Sequence, residues 1–268
     1  MLVGGVKTRG RWVDESLQVL HVDNHLLAVS KRAGEPCVPD SSGDLSLFDR
    51  ARTWIERTYH KPGRAFLGVV HRLDRPVSGV VVFGRTSKGA ARLSAAFAEK
   101  RVSKLYWAVA GPAGPTKAGE LRQYLWKDVK RNRVTVVRAD RPGAKLAETR
   151  WVEVERAAGR SLYALLPATG RSHQLRVAMA SLERPLLGDL RYGPGPALED
   201  RSVALHARAL ILPHPTQDHG LLLSAAPPQL STWSFQATKS AASFGRECNA
   251  EQAAVPLERL ILDLDAGR

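Results

Sequence analysis

Short runs of valine, leucine and isoleucine bounded by glycine or proline recur along this chain, while segments with helical periodicity are few. Strands alternating regularly with helices would build a parallel sheet; without that alternation the pattern predicts an α+β fold around a mixed, largely antiparallel sheet with flanking helices. Gln18 to Val22 and Leu26 to Ser30, separated by Asp23-Asn24-His25, read as a hairpin that Gly34 and Pro36 bring to an end. Phe48, Ala51 and Ile55 recur at helical spacing, which predicts a helix over Ser46 to Arg57. Phe66 to Val70 and Val80 to Phe83 read as buried strands, so His71 to Gly79, with Pro76, is their connection.

Ser87 reads as the N-cap of a helix in which Ala90, Leu93 and Phe97 share a face, ending near Lys100. From Lys104 to Ala110 the pattern alternates, with Leu105, Trp107 and Val109 on one face of a strand and Lys104, Tyr106 and Ala108 on the other. Further strands are expected at Val134 to Val137, Thr149 to Glu155, Leu162 to Leu166 and Val203 to Leu212. Leu175, Met179 and Leu182 fit a helix opening near Gly170, and a last strand or helix is expected at Leu257 to Leu264.

Charge narrows the class of partner. The 268 residues carry 40 lysines and arginines against 26 acidic residues, a net +14. Such an excess favours a polyanion, without separating RNA from DNA or an anionic membrane. The excess is uneven, because residues 229–268 hold four basic and five acidic side chains. Arg122, Lys127, Lys130, Arg131, Arg133, Arg138 and Arg141 face only Asp128 and Asp140 in the same stretch, either as a solvated face or as a phosphate-binding surface. Cys37 and Cys248 are too few for a disulfide framework or a four-cysteine zinc site. Without an apolar leader core or an apolar run of membrane-spanning length, the expectation is a cytoplasmic protein.

No Walker loop, dinucleotide glycine fingerprint or zinc-protease motif is present, and His206, His214 and His219 beside prolines read as loop or core residues. Three places can carry chemistry. In His71-Arg72-Leu73-Asp74-Arg75-Pro76 a carboxylate sits between two guanidinium groups, which favour its ionised form; Asp74 is then a nucleophile or a salt-bridge partner. In Thr169-Gly170-Arg171-Ser172-His173-Gln174-Leu175-Arg176 an arginine at a helix start opposes the macrodipole, and Arg171 serves a site or simply reaches solvent. Tyr106 is a half-buried core residue or a platform for a base.

Together these segments resemble the RluA family of RNA pseudouridine synthases. Val19 to Lys31 looks like the family's first motif, and His71-Arg72-Leu73-Asp74 with Ser78-Gly79 like its catalytic motif. Lys104, Tyr106, Ala108 and Gly111 match its tyrosine strand, and Thr169 to Val177 its third motif. Gly188-Asp189, Tyr192-Gly193, Leu205-His206-Ala207 and His214-Pro215 follow in order. Arg32, Val77 and Ala178 depart from the usual proline, threonine and histidine, and bear on substrate subtype rather than on the reacting groups.

The resemblance implies a pseudouridine synthase fold with an RNA-binding cleft over 18–228, preceded by an N-terminal extension (1–17) and followed by an appendage or tail (229–268) that is dispensable for chemistry. Seventeen leading residues are too few for a small S4-type domain, so the catalytic domain is expected to bind RNA unaided. The implied reaction isomerises specific uridines of rRNA or tRNA, as a monomer, with no metal, redox or nucleotide cofactor. Asp74 would be its catalytic carboxylate, Tyr106 would stack on the base and assist proton removal, and Arg171 would pair with Asp74. Arg72 would fill the vacancy left by the extruded base, with His71, Arg75, His173, Gln174 and Arg176 also binding substrate. A noncatalytic RNA-binding or ribosome-assembly protein on the same fold is the alternative; an RNA hydrolase using Asp74 as base ranks behind both.

Overall fold

The computed structural model describes residues 7–8, 11–12, 17–111, 114–239 and 244–248. Two short strands, β1 (Lys7–Thr8) and β2 (Arg11–Trp12), pair with each other. The hairpin follows as β3 (Val19–Val22) and β4 (Leu26–Lys31), then α1 (Leu47–Thr58). Ser46 caps α1 by accepting the Asp49 N–H, which satisfies one of the orphan donors of the first turn. Next come β5 (Gly68–Val69), β6 (Ser78–Gly84) and α2 (Ser87–Ala98). Thr86, not Ser87, caps α2; its extended backbone lets its hydroxyl accept the Gly89 N–H.

The chain continues through β7 (Ser103–Ala110), β8 (Ala118–Asp128), β9 (Arg133–Val137), β10 (Lys145–Ala157) and β11 (Arg160–Pro167). Then α3 (Gln174–Ser181), β12 (Leu205–Pro213) and β13 (Gly220–Ser224) precede a 3₁₀ turn at Ser231–Trp233, the short α4 (Gln236–Lys239) and β14 (Phe244–Cys248). The expected Leu257 to Leu264 element lies outside the described residues. The strand expected over Phe66 to Val70 shrinks to two residues. β4 occupies one side of β6 along its length; on the other side β12 pairs at Ser78 and Gly79, the His71 ring takes the Val82 N–H, and β5 pairs at Phe83 and Gly84.

The main sheet runs β3-β4-β6-β12-β7-β11-β10-β8-β9, with β13 and β14 branching from β12. Every junction along this path is antiparallel except β6 against β12. At that parallel junction Ala207 of β12 pairs with Gly79 on one side and Tyr106 on the other. Gly79 has φ +120°, and a Cβ there would lie 2.3 Å from the Ala207 carbonyl oxygen, so no other residue permits the approach. The connection entering β6, which carries Asp74, is thereby laid beside the strand that carries Tyr106.

The alternation read from β7 holds. Leu105, Trp107 and Val109 enter one core layer with Leu162, Ala164, Ile211, Trp233 and Phe235, while Ala108 and Ala110 enter another with Tyr163, Leu165, Leu175 and Met179. Trp233 and Phe235 come from the stretch that composition sets apart as a tail, and β14 adds a strand to β13. The described part of 229–268 therefore packs on the sheet instead of hanging from it. Trp233→Ala should lower the unfolding free energy by about 3–5 kcal/mol, measured by urea denaturation. A loss near zero would show that the layer closes without the indole.

His206 is a core residue. Its Nε2–H donates to the Ala225 carbonyl, so its bare Nδ1 accepts the Ser78 hydroxyl, and burial lowers its pKa to about 4. The unfolded chain binds a proton near 6.5 that the native state refuses, so stability is complete above pH 6.5 and falls as pH drops towards 4. Urea midpoints taken from pH 7 to pH 4 should decline across that window, and His206→Gln should flatten the slope; an unchanged slope would assign the acid lability elsewhere.

Candidate active site

Asp74 lies in the connection between β5 and β6, and Lys31, at the end of β4, holds that connection. Its buried ammonium donates to the carbonyls of Arg32, Arg75 and Val77 at 2.9, 3.0 and 2.7 Å, matching three donors to three acceptors. Burial lowers the lysine pKa to about 8 even with Cys37, Glu35 and Asp74 nearby. The sequence signal is faint, a lysine closing an apolar strand, and no role was expected of it.

Facing Asp74 is the first turn of α3. Arg176 Nη1 stands 3.4 Å from Asp74 Oδ2, and its Nε and Nη2 grip both oxygens of Asp189 at 2.8 and 2.7 Å. All three guanidinium nitrogens are engaged, and the two carboxylates keep the guanidinium pKa raised despite burial. A cation in the first turn of a helix opposes the macrodipole; the two acidic partners offset that cost. His173 precedes the helix with φ +51°, and its Nε2 is 3.9 Å from the same Oδ2. Among the described residues, Oδ1 has no hydrogen-bond partner.

This arrangement corrects the expectation that Arg171 pairs with Asp74. Arg171 lies in the loop before α3 and donates from Nε to the Leu146 carbonyl, at the rim. Arg75 turns away from Asp74 and towards Asp40, Asp44, Ser42 and the Gly34 carbonyl, so it braces the 34–44 loop. Gln174 is buried; it accepts from Thr169 and the Arg171 N–H and donates to the Glu148 carbonyl and Thr149. It sets the loop that carries Arg171 and His173. His71 stacks on Phe97 and accepts the Val82 N–H, and burial beside Lys104 lowers its pKa to about 3, so its ring is neutral and holds the connection to β6. Arg176, expected among the substrate contacts, is committed to the two carboxylates.

Several of these side chains line a cleft of about 120 Å³, open on one side. Asp74, Tyr106, Lys104, Arg72, Arg171, His173 and Arg176 contribute to its wall, with Leu73, Val77, Leu175 and Leu205 supplying apolar surface. Burial and the Asp74 charge hold the Tyr106 phenol far above its ordinary pKa, so it enters any reaction protonated. Lys104 donates to the Thr169 carbonyl, and burial with Lys100 and Arg171 lowers its pKa to about 8. Arg72 is exposed at the mouth with no hydrogen bond or ion pair among the described residues. A wider groove continues outward past Lys127, Asn132 and Arg191, so the basic β8–β9 hairpin borders the approach. No group of three metal-binding side chains assembles among the described residues.

Comparison with known proteins places this geometry. The family model for RNA pseudouridylate synthases matches residues 25–181, more than half of the chain. The tRNA pseudouridine synthase C of Yersinia pestis is 34% identical over 233 residues, covering 78% of this chain and 86% of the relative. The dual-specificity RNA pseudouridine synthase RluA of Pasteurella multocida is 31% identical over 219 residues, covering 80% and 94%. Among solved structures, human RNA pseudouridylate synthase domain containing 1 superposes with a TM-score of 0.67 at 25% identity, over 94% of this chain and 96% of that one. The motifs, the sheet and the cleft thus lead to one family, and the chain belongs to the RluA-type RNA pseudouridine synthases, isomerases of RNA.

Proposed function

We propose that the cleft turns over one flipped uridine of a structured rRNA or tRNA, with Asp74 as the reacting carboxylate. The observation that carries this is the asymmetry of Asp74: Arg176 and His173 face Oδ2, and Oδ1 is left for substrate in the cleft that Tyr106 also lines. The reaction breaks N1–C1′, turns the uracil and forms C5–C1′; C5 loses a proton and N1 regains one, so composition is unchanged. Oδ1 acts on the ribose as nucleophile or activating base while Arg176 holds the carboxylate aimed.

Tyr106 lies under the base and, being a phenol, serves the C5 deprotonation through its hydrogen bonds instead of as a phenolate. Arg72 occupies the gap in the RNA stack, Arg171 and the β8–β9 hairpin meet phosphates, and extrusion of the base costs a few kcal/mol. Two relatives support the choice of RNA: one is named for tRNA and one for dual specificity.

Mapping carbodiimide-reactive uridines in rRNA and tRNA from a deletion strain and its parent tests the reading. A site lost in the deletion and restored by the purified protein supports it; identical maps would refute it. Tyr106→Phe should leave RNA affinity within about threefold but slow turnover by at least about 100-fold. Parental turnover in that variant would reduce the tyrosine to a stacking surface.

A further inference from the structure

Beyond Arg176, the geometry points to His173 as a second positioning residue for Asp74, held by Tyr192 as the neutral Nε2–H tautomer and tied through that tyrosine to the basic β8–β9 hairpin. The Tyr192 hydroxyl sets the tautomer. It accepts the backbone N–H of Val134, in β9, at 2.9 Å, so its own proton is free to be donated. Among the described residues its only side-chain partner is His173 Nδ1, 2.7 Å away. Nδ1 therefore accepts, and the ring proton sits on Nε2, the nitrogen 3.9 Å from Asp74 Oδ2.

The surroundings keep that ring neutral. Burial lowers the His173 pKa, and Arg176 from α3, Lys127 from β8 and Arg191 from the loop after α3 add to the effect against the pull of Asp74. The Tyr192 ring is itself fixed between Arg133 and Arg176, whose guanidinium carbons lie 5.5 and 5.2 Å from its centroid. One tyrosine thus touches the hairpin backbone, a hairpin arginine, the arginine of Asp74 and the histidine of Asp74. Hydrogen bonds at catalytic groups commonly tighten once substrate is seated, and 3.9 Å is a small side-chain rotation from bonding range. With both donors on Oδ2, the carboxylate is held with Oδ1 towards the ribose.

This inference rests on Asp74 being the reacting carboxylate, and the experiment separates the two. Single-turnover conversion of bulk RNA labelled with [5-³H]uridine, enzyme in excess, is read as tritium release, with Kd from filter binding. His173→Leu should cut the maximal rate by about 10- to 100-fold, the worth of a charge-assisted hydrogen bond, with Kd within about threefold. His173→Gln keeps an N–H near the Nε2 position and should recover most of the rate. Tyr192→Phe removes the donor that fixes Nδ1 as the acceptor, so the ring proton is no longer held on Nε2 and the maximal rate should fall part of the way towards that of His173→Leu.

A parental rate in His173→Leu, a loss as deep in His173→Gln as in His173→Leu, or a parental rate in Tyr192→Phe would overturn the proposal. Asp74→Asn run beside them tests the reading underneath: if it stays active, that reading fails, whatever the histidine variants do.

Discussion

Asp74→Asn should fold and bind RNA like the parent, yet lose turnover by at least about 1,000-fold. Asparagine keeps the shape of the side chain but cannot act on the ribose as nucleophile or base. The connection that carries residue 74 is held from behind by three carbonyl bonds to Lys31 and by the Gly79 junction, neither of which involves the carboxylate. Folding should therefore be preserved. The measurement is turnover and Kd on the same RNA, with thermal unfolding as control. Residual turnover within about tenfold of the parent would remove Asp74 from the chemistry.

The second large effect is expected at Arg176. Methionine there strands Asp189, whose side chain is 1% exposed, with an uncompensated buried charge, a loss of about 3–5 kcal/mol of stability. It also takes the cation from Asp74, and turnover should fall by at least about 100-fold. Arg176→Lys restores a charge but not the fork that spans both carboxylates, so stability should recover further than turnover. Arg171→Leu is the contrast: that side chain bonds the Leu146 carbonyl at the rim, and its loss should weaken RNA binding more than it slows a saturated reaction. If the Arg171 variant loses its saturated rate and the Arg176 variant keeps it, the roles assigned here are reversed.

Those two arginines show where the sequence could be read and where it could not. The motif placed two guanidinium groups near a helix start, and one was expected to meet Asp74. Which one depends on where the helix begins. It begins at Gln174, which puts Arg176 in the first turn against the macrodipole and leaves Arg171 in the loop. An arginine in a first turn asks for an anion, so an exact boundary would have favoured Arg176, and boundaries are what periodicity reads least well. Arg75 misled for a similar reason: adjacency to Asp74 in sequence says nothing about direction, and its guanidinium serves the 34–44 loop.

Alternation served well where both faces of a strand are apolar, as in β7, and failed where charge hides it. β8 carries Glu120, Arg122 and Lys127 on a half-exposed strand, so it looked only like part of a basic run, although it pairs with β10 over eight positions. The stretch from Gln229 onward was set apart by its net acidity. Composition averages over the two aromatic side chains, Trp233 and Phe235, that seat it against Trp107. Asp189 and Tyr192 were visible as motif residues, but their tasks lie in contacts with Arg176, His173 and Val134 that only the fold brings together.

The central claim is that this cleft exchanges the C1′–N1 bond of uridine for a C1′–C5 bond. Tritium at C5 must then leave as the new bond forms, while the RNA keeps its mass apart from the label. Stoichiometric release from [5-³H]uridine RNA, one tritium for each carbodiimide-reactive residue that appears, is the result expected of the parent protein. RNA bound at the same sites with no tritium released would contradict the claim and leave a binding protein on a synthase fold.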